Sequence, residues 1–230
     1  MQEQKLDEIV LRKTGMEIGP RPELKPWREF LAHMQNAKDT VRIGLVGKYV
    51  ELQDAYKSIN EALFQAATYN NRKLDLQYIH SEKLTESNVE EKLSSMDGLI
   101  IAPGFGQRGV EGKFVALKYA REHDMPTFGI CLGMQCMVIE YARDVLGYKD
   151  ANSTEMDVNT PHNVIDLMES QKCISNMGGT MRLGEYDCIL QEGSKAEQAY
   201  GKTHIKERHR HRFEFNGDYR SEFEAAGIKC

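Results

Sequence analysis

The sequence predicts an α/β fold, a mostly parallel open sheet with helices on both faces, and three observations support this. Short apolar runs alternate with amphipathic stretches of helical length from Arg42 onward, which is typical of βαβ units. The run 98–102 is apolar throughout, as expected for a parallel strand buried on both faces. After residue 150 the chain becomes polar and irregular before further strand-like runs begin, so we expect extra strands there.

The individual elements follow from local signals along the chain. Asp54 is a good N-cap for a helix in which Ile59, Leu63 and Ala66 recur at helical spacing, and Gly147 ends a later helix. Strands are predicted at 42–49, 74–80, 126–130, 164–168, 178–190 and 203–215, and the segment 97–106 is predicted to run from an apolar strand into a glycine-rich turn. Helices are predicted at 55–67, 88–95, 111–122, 134–147 and 219–227.

Residues 1–40 differ in character from the rest of the chain. A short helical pattern around Ile9 and Leu11 is followed by three prolines and two glycines within 15–26, which interrupt any helix. One more helix is expected around Trp27. We therefore predict an interdomain arm over 1–40 and a globular domain over 41–230.

Composition excludes several classes of protein. Thirty Lys and Arg against 35 Asp and Glu give a formal charge of −5 over 230 residues, which argues against a nucleic-acid or polybasic membrane-surface binder. No apolar run approaches the ~20 residues that span a bilayer, and the polar N-terminus does not resemble a targeting peptide. The five cysteines form no CxxC pair, so we expect a cytoplasmic domain with reduced thiols.

The segment Gly129-Ile130-Cys131-Leu132-Gly133 has the form of a nucleophile elbow with cysteine in place of serine. A predicted strand precedes it and a predicted helix follows it, as an elbow requires. The positive end of the helix dipole favours the thiolate of Cys131 and hence its nucleophilicity. The alternative is a buried cysteine beside ordinary turn glycines.

A second glycine turn, 103–106, ends the strand that precedes this unit. Neighbouring parallel strands end at one edge of a sheet, so this turn is expected to face Cys131. The backbone N–H groups of Gly104 and Leu132 could then form an oxyanion hole. A plain loop is the alternative, because proline and glycine are common in turns.

The third feature is the basic segment 208–214, RHRHRFE. On a strand, Arg208, Arg210 and Arg212 would share one face and the two histidines the other. An arginine that grips a substrate carboxylate is favoured over an RNA-binding strip, and a solvated basic strand is the alternative. A His-x-His zinc site lacks a cysteine at ligand spacing, so no metal is expected.

These motifs resemble those of a known protein family. The sequence GICLGMQ resembles the nucleophile motif of class I glutamine amidotransferases. GLVGKYVELQDAYKSINEAL, APGFGQRGVEGK, ANSTE, GGTMRLG and ERHRHRFEFN more narrowly resemble the amidotransferase domain of the CTP synthase family. The resemblance covers essentially the whole chain, with 1–40 similar to the end of a synthetase domain plus linker.

The resemblance implies roles for particular residues. Cys131 would be the nucleophile that attacks glutamine, and Gly104 and Leu132 would supply the oxyanion donors. Glu155 could hold the α-amino group of glutamine, and Arg212 could grip its α-carboxylate. The positions implied in glutamine binding are Gly104, Phe105, Leu132, Gly133, Met134, Gln135, Glu155 and Arg212.

The resemblance also implies partners. Segment 107–113 is similar to a mobile lid linked to activation by GTP, and 47–57 is similar to the surface that faces the synthetase domain. No cofactor is implied for this domain, whereas ATP, Mg and the activator GTP are implied for the full-length enzyme, a glutamine-hydrolysing ligase that aminates UTP. A tetrameric parent is expected.

One departure from the family pattern concerns the catalytic base. The family completes its triad with a His-Pro-Glu sequence, which the 230 residues do not contain. His209, His211 and Glu214 do not match it, since they lie in the binding strand. We therefore expect a C-terminally incomplete domain that is poorly active or inactive alone. The alternatives are a fragment that retains only glutamine-binding or interface surfaces, and another elbow-cysteine amidase or peptidase.

Overall fold

The computed structural model describes residues 3–20, 23–168 and 182–229. Its main sheet has four parallel strands in the order β2-β1-β3-β4, which confirms the predicted α/β class. The strands in chain order are β1 Asp39–Gly47, β2 Arg72–His80, β3 Gly98–Ile101, β4 Thr127–Gly129, β5 Ile165–Leu167, β6 Arg182–Ile189, β7 His204–His211 and β8 Phe213–Phe215. The helices are α1 Leu6–Lys13, α2 Lys25–Asn36, α3 Lys57–Tyr69, α4 Val89–Leu93, α5 Val110–Glu122, α6 Leu132–Asp144, α7 Lys195–Tyr200 and α8 Arg220–Ala225.

Alternate residues of the central strands enter two separate cores, one on each face of the sheet. Leu45 and Ile100 lie in a small core that α3 covers. Val46 and Ile101 lie in a larger core formed with α5 and α6. The period of two along a strand therefore explains why both faces of these short apolar runs are buried.

The strands after residue 150 form two antiparallel pairs, β5 with β8 and β6 with β7. The predicted strand 203–215 is in fact two strands separated by Arg212. The break arises because β7 pairs with β6 whereas β8 turns to pair with β5. Of the predicted strand 178–190, residues 178–181 lie outside the described residues.

The segment 97–106 runs from a strand into a turn, as predicted. The strand β3 ends at Ile101, and Pro103 has no N–H with which to continue a strand ladder. One helix boundary differs from expectation: the helix predicted at 134–147 begins at Leu132, directly after Cys131, and ends at Asp144.

Of the two N-terminal helices, α2 packs on the sheet domain. No residue of α1 or α2 is buried, and α2 contacts α3 through the edge-on rings of Phe30 and Phe64, 6.2 Å apart. That 1–40 is an interdomain arm remains a prediction. Among the described helices, none is both long and apolar enough to cross a membrane.

Candidate active site at the Cys131 elbow

Cys131 lies in a sharp turn between β4 and α6. Its backbone has φ 53° and ψ −110°, a conformation that costs a non-glycine residue energy and occurs where surrounding structure enforces it. A Cβ on Gly133 would lie 2.1 Å from the Ile101 carbonyl oxygen, so α6 packs directly onto β3. The strained backbone of Cys131 and the close helix–strand packing have the geometry of a nucleophile elbow.

The thiol of Cys131 is half-buried, and burial raises its pKa. The Leu132 N–H acts in the opposite direction by hydrogen-bonding the sulfur, Glu155 raises the pKa further and Lys113 lowers it. The sequence argument expected the helix terminus to favour the thiolate. In this structure desolvation outweighs that contribution, because the charged form loses more hydration than one N–H restores.

A small cavity of about 190 Å³ opens beside the sulfur. It brings together six of the residues that the sequence singled out: Gly104, Phe105, Cys131, Gln135, Glu155 and Arg212. His211 and Phe213 complete its lining. The structure therefore places a thiol, a carboxylate and a guanidinium around one cavity. Its wall is formed by the 103–106 turn, the start of α6, the loop that contains Glu155, and the β7–β8 junction.

The other three expected residues lie around this cavity rather than in its wall. The Leu132 side chain is buried in the core, which leaves its backbone N–H as the group available to Cys131. Gly133 packs against β3. Met134 lines a wider open groove that continues from the cavity along 207–211.

Gln135 presents an unsatisfied acceptor in the cavity wall. Its Nε2 donates to the Phe213 carbonyl at 3.0 Å, whereas its buried Oε1 has no hydrogen-bond partner in the described part of the chain. A buried acceptor without a partner is costly.

Glu155 and the glycine turn are directly linked. The Gly106 N–H donates to Glu155 Oε1 at 3.0 Å. A Cβ on Gly104 would lie 3.5 Å from Leu132 Cδ2, so the 103–106 turn faces the start of α6 as the sequence predicted. Gly104 therefore packs against the Leu132 side chain.

The arginines of the basic segment have different surroundings. Arg208 and Arg210 are exposed, whereas His209, His211 and Arg212 are half-buried. The expected alternation therefore holds over 208–211, but the expectation that Arg212 shares the face of the other two arginines is wrong, because β7 ends at His211. His211 Nε2 lies 3.5 Å from a Glu214 oxygen. Arg212 alone of the three arginines lines the Cys131 cavity.

Sequence reasoning gave no role to two buried lysines behind the turn. Lys113 is fully buried and donates to the Ala102 carbonyl at 2.6 Å. Lys48 is also buried, and its Nζ donates to the Phe105 carbonyl. A signal for Lys48 was present, since it directly follows the glycine at the carboxyl end of β1, the edge at which α/β proteins bind ligands.

The expected lid is tied to the segment 47–57. Arg108 donates to Glu82 at 2.6 Å, and its guanidinium lies 5.2 Å from the Tyr49 ring centre. Residues 110–113 belong to the first turn of α5, and Val110 and Lys113 are buried there. Only 107–109 of the lid segment are therefore outside regular structure.

Comparisons with known proteins agree on a family. The model of the class I glutamine amidotransferases matches residues 51–230. The CTP synthases of Bacteroides fragilis and Porphyromonas gingivalis are each 65% identical over 230 residues, which is all of this chain and 43% of theirs. A solved structure, the glutaminase domain of Trypanosoma brucei CTPS with bound acivicin, is 38% identical with a TM-score of 0.75, and the match covers 82% of this chain and 73% of that one.

The chain thus spans less than half the length of the curated relatives it matches. The structural match concerns a glutaminase domain alone, and it includes the α/β architecture described above. The chain therefore belongs to the class I glutamine amidotransferase family, and within it to the amidotransferase domains of CTP synthases.

Proposed function

We propose that this domain hydrolyses L-glutamine at Cys131 and supplies ammonia to a synthetase domain that aminates UTP to CTP. The observation that carries the proposal is the cavity in which Cys131, Glu155 and Arg212 meet. A carboxylate and a guanidinium suit the two charged groups of an amino acid. An amidase or peptidase without an amino-acid substrate would not need both.

The chemistry follows from the thiolate of Cys131. The sulfur attacks the side-chain amide carbon of glutamine and forms a tetrahedral intermediate. Its collapse breaks the C–N bond and releases ammonia once the nitrogen is protonated, leaving a γ-glutamyl thioester. Water then attacks the thioester, which frees glutamate and regenerates the thiol.

The oxyanion of the intermediate is assigned to the N–H groups of Gly104 and Leu132. The packing of Gly104 against the Leu132 side chain supports this, as does the hydrogen bond from the Leu132 N–H to the sulfur. Lys48 donates to the Phe105 carbonyl within the turn and Lys113 to the Ala102 carbonyl directly before it, which keeps the backbone of the turn in one orientation. Preorganised donors of this kind are typically worth ~10²–10³ in rate.

The substrate's ends are assigned by charge. Glu155 would take the α-ammonium group and Arg212 the α-carboxylate, while Gln135 would form part of the pocket wall. Phe105 and the backbone of 132–134 would complete the pocket. The general base implied by the family resemblance is a His-Pro-Glu histidine, which is not among the 230 residues, so we expect turnover by this chain alone to be slow.

The partners of this domain are proposed from its longer relatives, the CTP synthases. Their length leaves room for a synthetase domain that would use ATP, Mg and UTP, with GTP as activator, and a tetramer is expected. The arm 1–40 and the segment 47–57 would face that domain. A cytoplasmic location fits the free thiols of Cys131, Cys136 and Cys188.

The test is covalent labelling with a chloromethyl ketone analogue of glutamine, followed by mass mapping. We expect rapid modification of Cys131, protection by L-glutamine, and no rapid modification of the half-exposed Cys188. Cys131→Ser provides the control. Equal labelling of Cys136, Cys173 or Cys188, or labelling that glutamine does not slow, would overturn the assignment.

A further inference from the structure

We propose that the Thr154 hydroxyl is a positioning group that fixes Glu155 for recognition of the substrate's α-amino group, an inference that rests on the function proposed above. Thr154 Oγ1 donates to Asp166 Oδ1 at 2.7 Å. The same oxygen accepts the Leu167 N–H at 2.7 Å. The carboxylate is therefore held within β5, and the hydroxyl binds to a fixed point.

The backbone before Glu155 is attached to the same strand. Thr154 N–H donates to the Ile165 carbonyl at 3.1 Å, and the fully buried Ser153 bridges Ile165. The Glu155 N–H donates to Ser153 Oγ at 3.1 Å. The chain is thus fixed at the two residues that precede Glu155, while the Glu155 carboxylate extends to the Gly106 N–H.

The strand that anchors Thr154 also leads to the arginine. β5 pairs with β8, with Asp166 opposite Glu214, and β8 begins one residue after Arg212. The Met168 N–H donates to the Arg212 carbonyl at 3.3 Å. One small strand pair therefore sets the separation between the carboxylate proposed to bind the α-amino group and the guanidinium proposed to bind the α-carboxylate.

This arrangement separates recognition from chemistry. Neither Thr154 nor Asp166 lines the Cys131 cavity, so the hydroxyl acts only through the position of Glu155. Its loss should weaken binding of a ligand that carries an α-amino group and leave the reaction at sulfur unchanged. A ligand without that group should bind the variant as well as it binds the parent protein.

The experiment compares inactivation by two chloromethyl ketones, the glutamine analogue and the same ketone without the α-amino group. Thr154→Val removes the donor and keeps the shape. We expect the apparent dissociation constant of the amino ketone to rise about 3- to 10-fold, as for one lost hydrogen bond. The maximal alkylation rate and the constant for the des-amino ketone should stay within about twofold, and Thr154→Ser should restore binding.

Thr160→Val is the matched control. Its hydroxyl donates to the Asp150 carbonyl at 2.8 Å, and it does not line the cavity, so we expect no change for either ketone. Asp166→Asn serves as a second variant if Thr154→Val does not fold by circular dichroism. It keeps an acceptor for the hydroxyl but removes its charge, so we expect a smaller loss confined to the amino ketone.

The outcomes separate this inference from the proposed function. Equal weakening of both ketones by Thr154→Val, or no weakening of either, would overturn the positioning role. Glu155→Gln tests the proposed role of Glu155, on which the inference about Thr154 rests. If Glu155→Gln weakens only the amino ketone while Thr154→Val does not, the role of Thr154 fails alone. If Glu155→Gln fails to discriminate between the ketones, the assignment of Glu155 fails as well.

Discussion

Gly129 and Gly133 lie back to back across the elbow, so that a Cβ on Gly129 would lie 2.6 Å from the Gly133 carbonyl carbon. This contact and the 2.1 Å approach of a Gly133 Cβ to Ile101 oxygen stack strand, turn and helix in direct backbone contact. The obstacles are backbone atoms, which cannot rotate away as a side chain could. Cys131 keeps its positive φ because both neighbouring segments are fixed in this way.

Alanine at either glycine should therefore displace the elbow. We expect Gly129→Ala and Gly133→Ala each to lower the free energy of unfolding by at least about 1–3 kcal/mol, the usual range for overpacking. Urea unfolding followed by circular dichroism measures this. Gly217→Ala is the control, since a Cβ there would meet nothing within 4 Å. An unchanged midpoint for Gly133→Ala would show that α6 can move off β3 at little cost.

The elbow shows how far the sequence predicts the site. The spacing of two glycines around Cys131 identified the turn, because only glycine permits that packing. The side-by-side strands β3 and β4 then brought Gly104 to Leu132, as parallel topology requires. Arg212 was singled out by resemblance, and the structure adds the reason that it differs from Arg208: it lies where β7 ends and β8 begins.

Other features depend on tertiary packing that no local pattern contains. A lysine in a helix is normally solvated, so nothing in the residues around Lys113 indicated full burial. The thiol pKa likewise depends on how much solvent the fold leaves around Cys131. The split of the strand 203–215 depends on partners distant in sequence, which hydrophobic periodicity does not reveal.

Alkylation of Cys131 by iodoacetamide should depend on pH in a way that reports its burial. Burial raises the pKa of this thiol, and the thiolate is the reactive form. The rate should therefore keep rising with pH beyond the range in which an ordinary thiol, with pKa near 8.5, levels off. Cys136 is fully buried, with its pKa raised to about 12, and should stay unmodified. Mass mapping of alkylated peptides between pH 6 and 10 tests the expectations for Cys131 and Cys136. An alkylation rate for Cys131 that levels off near pH 7 would contradict the prediction.

Lys113 should make stability depend on pH. Burial lowers its pKa in the folded state, whereas the unfolded value is ~10.4. Between these values the unfolded chain binds more protons, so the contribution of Lys113 to stability rises with pH. Below the folded pKa the buried ammonium is a cost, and Lys113→Met should be at least as stable as the parent near pH 7. The advantage of the variant should shrink as the pH approaches 10.

The comparison uses urea unfolding of both proteins at each pH, so that contributions from other groups cancel. Lys118→Met, on the same helix but not fully buried, tests for a general effect of removing a lysine from α5. If Lys113→Met is much less stable than the parent at pH 7, the hydrogen bond from Lys113 to the Ala102 carbonyl stabilises the fold more than burial of the charge destabilises it.

The last prediction separates Arg212 from its neighbour Arg208. Arg212 is half-buried in the wall of the cavity, whereas Arg208 is exposed along the open groove. A charge-assisted carboxylate contact is worth roughly 1.5–3 kcal/mol, so Arg212→Ala should lower the second-order rate of inactivation by the amino ketone about 10- to 150-fold. Arg208→Ala should change it little, because the interaction of an exposed guanidinium with an anion is weakened by solvent. Arg212→Lys should recover only part of the rate, since an ammonium lacks the planar pair of donors that matches a carboxylate.

Unfolding curves measured for each variant establish whether it is folded. Matching losses for Arg208→Ala and Arg212→Ala would mean that the segment attracts the ligand as a general basic surface, and Arg212 would then have no separate role at the cavity.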